Sequence, residues 1–352
     1  MKIEDMLINE ELTIFQTMQQ LDQLDITARK ILFVVRDGKL VAVVSDGDVR
    51  RWILSNGSLE APISCAANYK PKFMLEGEEE NAAAYMQEQQ IDALPVLNTK
   101  FEVIKVLFRS EKEENFHSDA LAGIPIVIMA GGLGKRLYPY TRILPKPLIP
   151  IGDVPIIEHI MNEFGKFGCK DFYLILNHKK NMIKAYFSDN EISYNITYVD
   201  ETFPLGTGGG LSLLKGQINS TFILTNCDIL IKDDIARIYK LHKEQKHLIT
   251  MVCSAKSFTI PYGVINIDEE GEITEIKEKP SLSFLTNTGC YVVEPEVINE
   301  MESDVAIDFT DVIERFRKQG KKVGVYPIGE NSWFDMGQMD ELRKMEKALL
   351  VE

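Results

Sequence analysis

Residues 126–155 read IVIMAGGLGKRLYPYTRILPKPLIPIGDVP and are the most informative stretch of the chain. Its first four residues, 126–129, are all apolar and predict a short buried strand. The strand runs into a loop that contains three glycines, Gly131, Gly132 and Gly134. Because glycine has no Cβ and tolerates a positive φ, backbone N–H groups in such a loop can approach an anion closely. The stretch therefore predicts an anion-binding loop at the end of a strand.

Cations follow this glycine loop, and their positions suit phosphate oxygens. Lys135 and Arg136 come directly after the loop, and Lys146 follows further along the same stretch. The loop lacks the Gly-x-x-x-x-Gly-Lys-[Ser/Thr] pattern of ATPases and the third glycine of the dinucleotide fingerprint. The alternative interpretation is an ordinary turn with surface cations.

The second part of the chain alternates strands and helices. Strands are predicted at 172–176, 195–199 and 222–225, and a helix is predicted over 154–167. The apolar face of that helix consists of Ile156, Ile157, Ile160, Met161 and Phe164. This alternation predicts an α/β fold with a doubly wound sheet, in which ligands bind beyond the carboxyl ends of the strands.

Asp228 follows the apolar strand at 222–227 and is a candidate metal ligand. Mg²⁺ prefers one or two carboxylates together with phosphate oxygens and water. The alternative is an Asp that caps a helix beginning near Asp233.

The glycine stretch resembles the signature of the sugar-nucleotide pyrophosphorylases, G-G-x-G-[T/S]-R-L-x-P-x-T followed by P-K-P. The matching residues are Gly131, Gly132, Gly134, Arg136, Leu137, Pro139, Thr141, Pro145, Lys146 and Pro147. Lys135 departs from the signature, where Thr or Ser is commoner. The resemblance implies a nucleotide-diphospho-sugar transferase fold with a Rossmann-like, doubly wound mixed sheet. It also implies an enzyme that joins an NTP to a sugar 1-phosphate and releases pyrophosphate.

The same resemblance implies roles for motifs along the chain. The implied nucleotide-binding residues are Ala130, Gly131, Gly132, Gly134, Lys135, Glu201, Gly206, Thr207 and Gly208, the last three in a loop at 205–210. The implied catalytic residues are Arg136, Lys146 and Asp228. The implied Mg²⁺ ligands are Asp228 and Asp335, the latter in a motif similar to W-x-D-[I/T]-G. The implied sugar-phosphate-binding residues are Tyr262, Gly263, Glu278, Lys279, Asn287 and Thr288.

Glu201 gives the one physical indication of which base is bound. Its carboxylate could accept hydrogen bonds from both N1–H and N2–H₂ of guanine, whereas uracil offers a single N3–H. An exposed loop Glu is an equally good interpretation of this residue.

The first part of the chain contains a weak internal repeat, in which a helix precedes a two-stranded hairpin. The predicted elements are helix 13–24 with strands 31–35 and 40–44, then helix 79–90 with strands 93–97 and 102–108. Asp37-Gly38 is a hairpin-turn signal in the first of the two repeats.

This repeat resembles a tandem pair of CBS modules, an α+β domain pair at 1–118 that precedes a catalytic domain at 119–352. A charged linker is predicted at 110–119. In the CBS family, a Ser/Thr-x-x-Asp motif binds a regulatory nucleotide, and Ser45 and Asp48 match it. A plain helix N-cap is the alternative for these two residues. Removing 1–118 is expected to leave a folded catalytic domain, unless the CBS pair is structural.

Composition excludes several kinds of partner. The net charge of −14 argues against nucleic acid or an acidic membrane. Five scattered cysteines without a C-x-x-C pair predict reduced thiols, as in the cytoplasm, and the acidic N-terminus predicts no signal peptide. The two resemblances imply a homodimer or a larger homo-oligomer.

The domain combination resembles the guanylyltransferases of nonulosonic (legionaminic-type) acid pathways, which act on glucosamine 1-phosphate. Mannose 1-phosphate with GTP, glucose 1-phosphate with UTP or dTTP, and cytidylyl transfer stay open as alternatives. A different class also stays open, namely a catalytically silent protein that senses nucleotides through its CBS modules.

Overall fold

A computed structural model of the chain describes residues 2–24, 30–109, 119–190, 192–337 and 339–350. The chain forms two compact units. The first unit comprises Met1–Glu114, Ser254–Thr286 and Gly329–Asn331, and the second comprises Asn115–Cys253, Asn287–Ile328 and Ser332–Glu352. The predicted linker at 110–119 and the predicted boundary at 118/119 fall almost wholly outside the described residues, so both stay predictions.

The described strands begin and end as follows. They are β1 (Leu7–Asn9), β2 (Ile31–Arg36), β3 (Lys39–Ser45), β4 (Met74–Leu75), β5 (Ala93–Leu97), β6 (Val103–Phe108), β7 (Ile126–Met129), β8 (Pro150–Ile151), β9 (Val154–Pro155), β10 (Asp171–Leu176), β11 (Asn195–Asp200), β12 (Phe222–Asn226), β13 (Ile229–Ile231), β14 (Ile249–Thr259), β15 (Val264–Ile267), β16 (Ile273–Lys277), β17 (Ser281–Val293), β18 (Val323–Ile328) and β19 (Trp333–Asp335).

The described helices are mostly short. They are α1 (Ile14–Gln23), α2 (Asp46–Leu54), α3 (Ala82–Glu88), α4 (Tyr140–Ile143), α5 (Ile156–Gly165), α6 (Lys180–Asp189), α7 (Gly206–Gly209), α8 (Ile235–Gln245), α9 (Glu296–Glu300), α10 (Phe309–Lys318) and α11 (Met339–Leu350). Within the described residues, no helix combines the length and the apolar character needed to cross a membrane.

A seven-stranded sheet has the strand order β11-β10-β7-β12-β17-β14-β18. β7 is parallel to β10 and β12, β10 is parallel to β11, and β17 runs antiparallel to β12. The predicted strand at 126–129 is confirmed as β7, and all four of its residues are buried. The other three predicted strands are confirmed to within a residue as β10, β11 and β12. The result is the expected mixed α/β fold with a mainly parallel sheet.

Helix α5 covers one face of this sheet. The five apolar residues predicted for its inner face are its buried residues. The predicted start at Val154 is wrong, because Val154 and Pro155 form the short strand β9, which pairs with β8. Pro155 disfavours helical φ/ψ in the residue before it, so the helix begins only at Ile156.

The first unit confirms the internal repeat. In each half, one short strand is parallel to the first strand of an antiparallel hairpin: β1 beside β2–β3, and β4 beside β5–β6. Asp37 and Gly38 form the first hairpin turn, with φ of 51° and 77° as a type I′ turn requires. The helix predicted at 79–90 is shorter than expected, because Glu79–Asn81 is a 3₁₀ turn that precedes α3.

The core of the first unit extends beyond the N-terminal residues. Ala255 is buried in the same apolar cluster as Ile14, Leu32 and Ile63, and Leu285 packs against that cluster. Gly329 lies so close to the carboxylate of Asp22 that it has no room for a Cβ. Segments 254–286 and 329–331 therefore depend on the N-terminal residues for their packing.

Candidate active site

A cavity of about 520 Å³ opens in the second unit at the carboxyl ends of β7, β10, β11 and β12. Its lining residues are Met129, Gly131, Gly132, Leu133, Gly134, Lys135, Arg136, Leu137, Lys146, Asn177, Glu201, Pro204, Gly206, Thr207, Asn226, Cys227, Asp228 and Asp308. A cleft beyond the carboxyl ends of parallel strands is where ligands bind in open α/β sheets. Ala130 does not line it, since the residue is buried and its N–H donates to Ile175 O at 2.9 Å.

The glycine loop needs its glycines for two different reasons. A Cβ on Gly131 would lie 2.7 Å from Glu201 Oε2, so the loop packs directly on that carboxylate. Gly134 has a φ of 63°, and a Cβ there would lie 2.8 Å from Thr141 Cγ2. Gly132 faces open space: no atom of another part of the described chain lies within 4 Å of an added Cβ. The loop therefore packs against Glu201 and Thr141 on one side, and on the other side it is open towards the cavity at Gly132.

Lys179 stabilises the turn that follows the glycine loop in sequence. Its ammonium group donates to the carbonyls of Thr141, Arg142 and Ile143 at 3.0, 2.7 and 3.0 Å. These carbonyls end α4 and have no partner within that short helix, so the lysine completes its C-terminus. The hydroxyl of Thr141 donates in turn to Gly134 O at 2.9 Å. Lys179 therefore anchors the turn against which Gly134 packs.

Two carboxylates and two cations meet beside the loop. Lys146 forms a short ion pair with Asp228, and both side chains are largely buried. β13 pairs with β19 so that Ile229 lies opposite Asp335, and Met336 N–H donates to Asp228 O at 2.8 Å. A Cβ on Gly337 would lie 3.3 Å from Arg136 Nη2, which places that guanidinium at the same turn. The structure thus brings together the predicted catalytic residues and Asp335.

Asp335 lies in an unfavourable position for a charged carboxylate. Burial raises its pKa, and the negative charge of Asp228 raises it further, while the N–H of Gly337 and the charges of Lys146 and Arg136 act in the opposite direction. A buried carboxylate whose charge is disfavoured by a neighbouring carboxylate fits a bound cation. Among the described residues, no group of three or more His, Cys, Asp or Glu side chains could hold a metal ion. Mg²⁺ commonly needs only one or two carboxylates when phosphate oxygens and water complete its shell.

Glu201 is buried at the base of the cavity, 6% exposed, so the alternative of an exposed loop residue is wrong. Burial raises its pKa, whereas hydrogen bonds from the backbone of Leu205 and the side chain of Asn177 lower it. The glycine loop covers one side of this carboxylate at Gly131, and Gly210 lies close to its other oxygen. Sequence reasoning missed Asn177, although it directly follows the predicted strand at 172–176.

Residues 206–209 form the short helix α7, so the loop predicted at 205–210 is wrong. The glycines allow this helix to pack on neighbouring backbone: an added Cβ on Gly208 would lie 3.0 Å from Ile307 O. Gly206 and Thr207 line the cavity, whereas Gly208 is buried and does not. Asp308, which sequence reasoning also missed, lines the cavity beside Gly206.

The predicted sugar-side residues are divided between the two units. Tyr262, Gly263, Glu278 and Lys279 lie in the first unit and meet there. Lys279 N–H donates to Tyr262 O at 3.3 Å, and an added Cβ on Gly263 would lie 3.0 Å from Glu278 Oε2. Lys279 also has a φ of 46°, an uncommon value for a residue with a Cβ.

Asn287 and Thr288 lie in the second unit. Thr288 is buried, and its hydroxyl donates to Val252 O at 2.8 Å. The Asn287 amide donates to the Tyr291 hydroxyl at 2.7 Å. Both side chains are therefore engaged within their own unit.

Ser45 and Asp48 form the capping box of α2. The hydroxyl of Ser45 accepts from Asp48 N–H at 3.3 Å, and the Asp48 carboxylate accepts from Ser45 N–H at 2.8 Å. Asp48 also forms a short ion pair with the exposed Arg51. The helix-cap interpretation of the two residues is therefore correct, and their predicted nucleotide role stays a prediction.

The fold and the cavity define an α/β protein with a glycine loop, cations and paired carboxylates at the carboxyl ends of its parallel strands, a combination that suits phosphates. A family model described as Nucleotidyl transferase matches residues 126–352, which is more than half of the chain. The chain therefore belongs to the nucleotidyl transferase family.

Individual relatives match between about half and two thirds of the chain. The bifunctional protein GlmU of Methanococcus aeolicus is 32% identical over 221 residues, which are 60% of this chain and 51% of the relative. The mannose-1-phosphate guanylyltransferase of Mycobacterium tuberculosis is 29% identical and covers 62% of each chain. The D-glycero-alpha-D-manno-heptose 1-phosphate guanylyltransferase of Campylobacter jejuni is 30% identical over 55% of this chain and 87% of its own length.

The fold is also similar to a solved structure, that of HddC from Yersinia pseudotuberculosis. The TM-score is 0.51 at 23% identity, over 64% of this chain and 99% of HddC. This likeness supports the mixed α/β fold. The chain spans only about half to three fifths of the first two relatives, GlmU and the mycobacterial guanylyltransferase.

Proposed function

We propose that the chain is a Mg²⁺-dependent sugar-1-phosphate nucleotidyltransferase. The observation that carries this proposal is the meeting of Arg136, Lys146, Asp228 and Asp335 beside the glycine loop. Nucleotidyl transfer needs no protein nucleophile, because the sugar phosphate can attack directly. The protein must bring two polyanions together and offset their charge, and this cluster is suited to that task.

The reaction joins one oxygen of the sugar 1-phosphate to the α-phosphorus of the NTP, while the bond from that phosphorus to the leaving pyrophosphate breaks. The glycine loop around Gly132 lines the cavity, so its backbone N–H groups would be available to the phosphates of a bound triphosphate. Arg136 and Lys146 offset the negative charge that develops in the transition state. Lys146 is held for this role by its ion pair with Asp228.

Asp228 and Asp335 would hold the Mg²⁺ ion. When bound, the ion would neutralise charge on the phosphates and favour the attack. The pKa shift of Asp335 supports this assignment, since a cation would relieve the repulsion between the two carboxylates.

GTP and glucosamine 1-phosphate are the substrates we propose. Glu201 supports guanine, because its buried carboxylate in the cavity could accept both N1–H and N2–H₂. Two of the relatives are named guanylyltransferases, at about 30% identity. Mannose 1-phosphate with GTP, glucose 1-phosphate with UTP or dTTP, and a CTP-dependent reaction are the alternatives. Nonulosonic (legionaminic-type) acid synthesis is the proposed pathway.

Residues 1–118 are proposed to be a tandem CBS pair that regulates a catalytic domain at 119–352. The repeated topology of the first unit supports a pair of related modules. A regulatory nucleotide at Ser45 and Asp48 would have to replace the capping contacts of α2. A homodimer or larger assembly in the cytoplasm completes the proposal.

Pyrophosphate release tests the reaction. Full-length chain with Mg²⁺ is offered GTP, UTP, CTP, dTTP or ATP, each with a panel of sugar 1-phosphates that includes glucosamine 1-phosphate. Release with GTP and glucosamine 1-phosphate is expected, and Asp228→Asn should abolish it while the circular dichroism spectrum stays unchanged. Full activity of that variant would refute the metal assignment. Silence of the wild-type chain across the panel would favour a catalytically silent nucleotide sensor.

A further inference from the structure

Asp308 lies directly before helix α10 and lines the cavity of the candidate active site, where the proposed function gives it no role. An Asp at this position ordinarily caps its helix, because its carboxylate accepts the N–H of the second or third helical residue. Asp308 has the extended backbone of such a cap, with φ of −81° and ψ of 148°, but its side chain makes no capping hydrogen bond. Within the described residues, this exposed carboxylate forms no ion pair either. Its oxygens are therefore available to a ligand.

Other groups serve the start of α10 in place of this carboxylate. The hydroxyl of Thr207 accepts from Phe309 N–H at 3.0 Å. The N–H of Asp311 donates to the backbone oxygen of Asp308 at 3.0 Å. These N–H groups belong to the first turn, whose donors have no partners within the helix itself. Since Thr207 and the backbone satisfy them, the helix does not account for the side chain of Asp308.

Backbone contacts hold Asp308 beside the short helix α7. Ile307 N–H donates to Leu205 O at 2.9 Å, and Ile307 O accepts from Gly208 N–H at 2.9 Å. An added Cβ on Gly206 would lie 3.1 Å from Asp308 Oδ1, so the carboxylate is close to the start of this helix. Its position is therefore set before any ligand binds, which lowers the cost of binding one.

Glu201 reaches the same part of α7 from the other side. Its carboxylate accepts hydrogen bonds from the backbone of Leu205 and from the side chain of Asn177. A carboxylate has about four lone-pair sites, so these two bonds leave about two for a ligand. The edge of guanine presents three N–H bonds, one on N1 and two on N2. Glu201 alone cannot accept all three, and Asp308 offers a further acceptor nearby.

We propose that Asp308 is a specificity-determining residue that accepts a hydrogen bond from the 2-amino group of guanine. This inference rests on the proposed function, because it requires a nucleotide base beside Glu201. A carboxylate only accepts hydrogen bonds, so the group that it binds must be a donor. Guanine offers donors at two adjacent positions of its edge, unlike adenine, cytosine, uracil and thymine. Uracil and thymine present two carbonyl oxygens beside a single N–H, and two carboxylates would repel those oxygens.

A comparison of GTP with ITP tests this assignment, because the base of ITP lacks only the 2-amino group. Isothermal titration calorimetry of the full chain with Mg²⁺ and without any sugar phosphate measures both dissociation constants. The wild-type chain should bind GTP more tightly than ITP. Asp308→Ala should raise the GTP dissociation constant about 10-fold, as expected for the loss of one hydrogen bond to a charged acceptor. The ITP dissociation constant should stay unchanged.

Asp311→Ala is the matched control, since it removes the same charge from the first turn of the same helix. Asp311 is exposed and does not line the cavity, so both dissociation constants should stay at their wild-type values. The thermal midpoint of Asp308→Ala should also equal that of the wild type, because the side chain caps no helix N–H. A lower midpoint with unchanged GTP binding would instead assign Asp308 to the helix end and refute the proposal.

Losses of equal size for GTP and ITP in Asp308→Ala would likewise overturn it. If those losses disappear with 2′-deoxy-GTP, Asp308 binds the ribose and not the base. Because no sugar phosphate is present, these titrations do not depend on pyrophosphate release. A chain that selects GTP over ITP through Asp308 but releases no pyrophosphate would refute the proposed reaction alone. A chain that releases pyrophosphate but binds GTP and ITP equally would refute the assignment of Asp308 alone.

Discussion

Gly131 and Gly132 are neighbours in the loop but face different surroundings. An added Cβ would lie 2.7 Å from Glu201 Oε2 at Gly131 and would meet nothing within 4 Å at Gly132. Gly131→Ala must therefore displace the buried carboxylate, whereas Gly132→Ala fits the protein itself. Gly131→Ala therefore affects the stability of the protein, and Gly132→Ala affects only the binding of a ligand in the cavity.

We expect Gly131→Ala to lower stability by about 1–3 kcal/mol, in the range of core overpacking. Gly132→Ala should leave the thermal midpoint unchanged and weaken NTP binding, because its methyl group occupies the space open to phosphates. Thermal denaturation and equilibrium NTP titration measure the two effects. Equal stability losses in both variants would show that the loop does not pack as described.

At the scale of elements, the short helix α4 depends on a single distant side chain. Lys179→Met removes three hydrogen bonds to its terminal carbonyls. The change should cost about 1–3 kcal/mol and lower kcat/KM, because Thr141 then no longer holds Gly134 in place. Lys179→Arg should retain most of both properties.

Lys184→Met is the matched control for Lys179→Met. Lys184 lies on α6 and pairs at 2.8 Å with the partly exposed Asp200, a surface ion pair worth at most about 1 kcal/mol. Chemical denaturation and steady-state kinetics compare the variants. If Lys179→Met behaves like Lys184→Met in both measurements, Lys179 does not position the loop.

His247 lies in the connection between α8 and β14, and it makes the free energy of unfolding depend on pH. Burial, together with the charges of Lys322 and His242, lowers the pKa of His247 to about 4. The ring is packed against Gly324, and its Nδ1 lies 2.9 Å from Thr250 Oγ1. The folded state thus keeps the imidazole neutral at a pH where the unfolded chain protonates it.

Stability should therefore fall as pH decreases from about 6.5 to about 4, by up to ~3 kcal/mol from this residue. Above this window both states carry a neutral ring, and below it both are protonated, so the contribution changes only inside it. His247→Asn should flatten the decline in denaturation midpoints measured from pH 8 to pH 4. An unchanged slope would rule out His247 as its source.

Local sequence could predict the elements of the site but not the contacts between them. Strand β7, the glycine loop and the inner face of α5 follow from residues close together in the chain. The contacts of Asn177 with Glu201, and of Lys179 with α4, join segments far apart in sequence, so no local pattern reveals them. The glycines at 206–209 suggest a loop, whereas in the structure Gly208 allows a short helix to pack closely on Ile307.

In the whole molecule, the first unit includes two segments that follow β7 in sequence, at 254–286 and 329–331. Ala255 is buried in the N-terminal core, and Leu285 packs against it. The segment at 329–331 leads directly into β19, whose last residue is Asp335. The N-terminal residues therefore support chain that continues into the proposed metal site.

Deleting residues 1–118 should consequently damage the remaining chain, contrary to the expectation of an intact catalytic domain. The deletion exposes apolar surface at Ala255 and Leu285 and removes Asp22 from beside Gly329. Since β19 is held to β13 by three residue pairs only, loss of support at 329–331 should loosen Asp335 and reduce kcat more than NTP affinity.

Fragment 119–352 is compared with the full chain by denaturation, NTP titration and pyrophosphate release. A matched fragment carries Leu285→Ser, which removes an apolar side chain that the deletion exposes but does not restore the N-terminal contacts. This variant separates loss of solubility from loss of activity. If the fragments are soluble and bind NTP but turn over slowly, the N-terminal residues support the catalytic centre structurally. Wild-type kcat in either fragment would instead show that the catalytic centre does not depend on residues 1–118 for structural support.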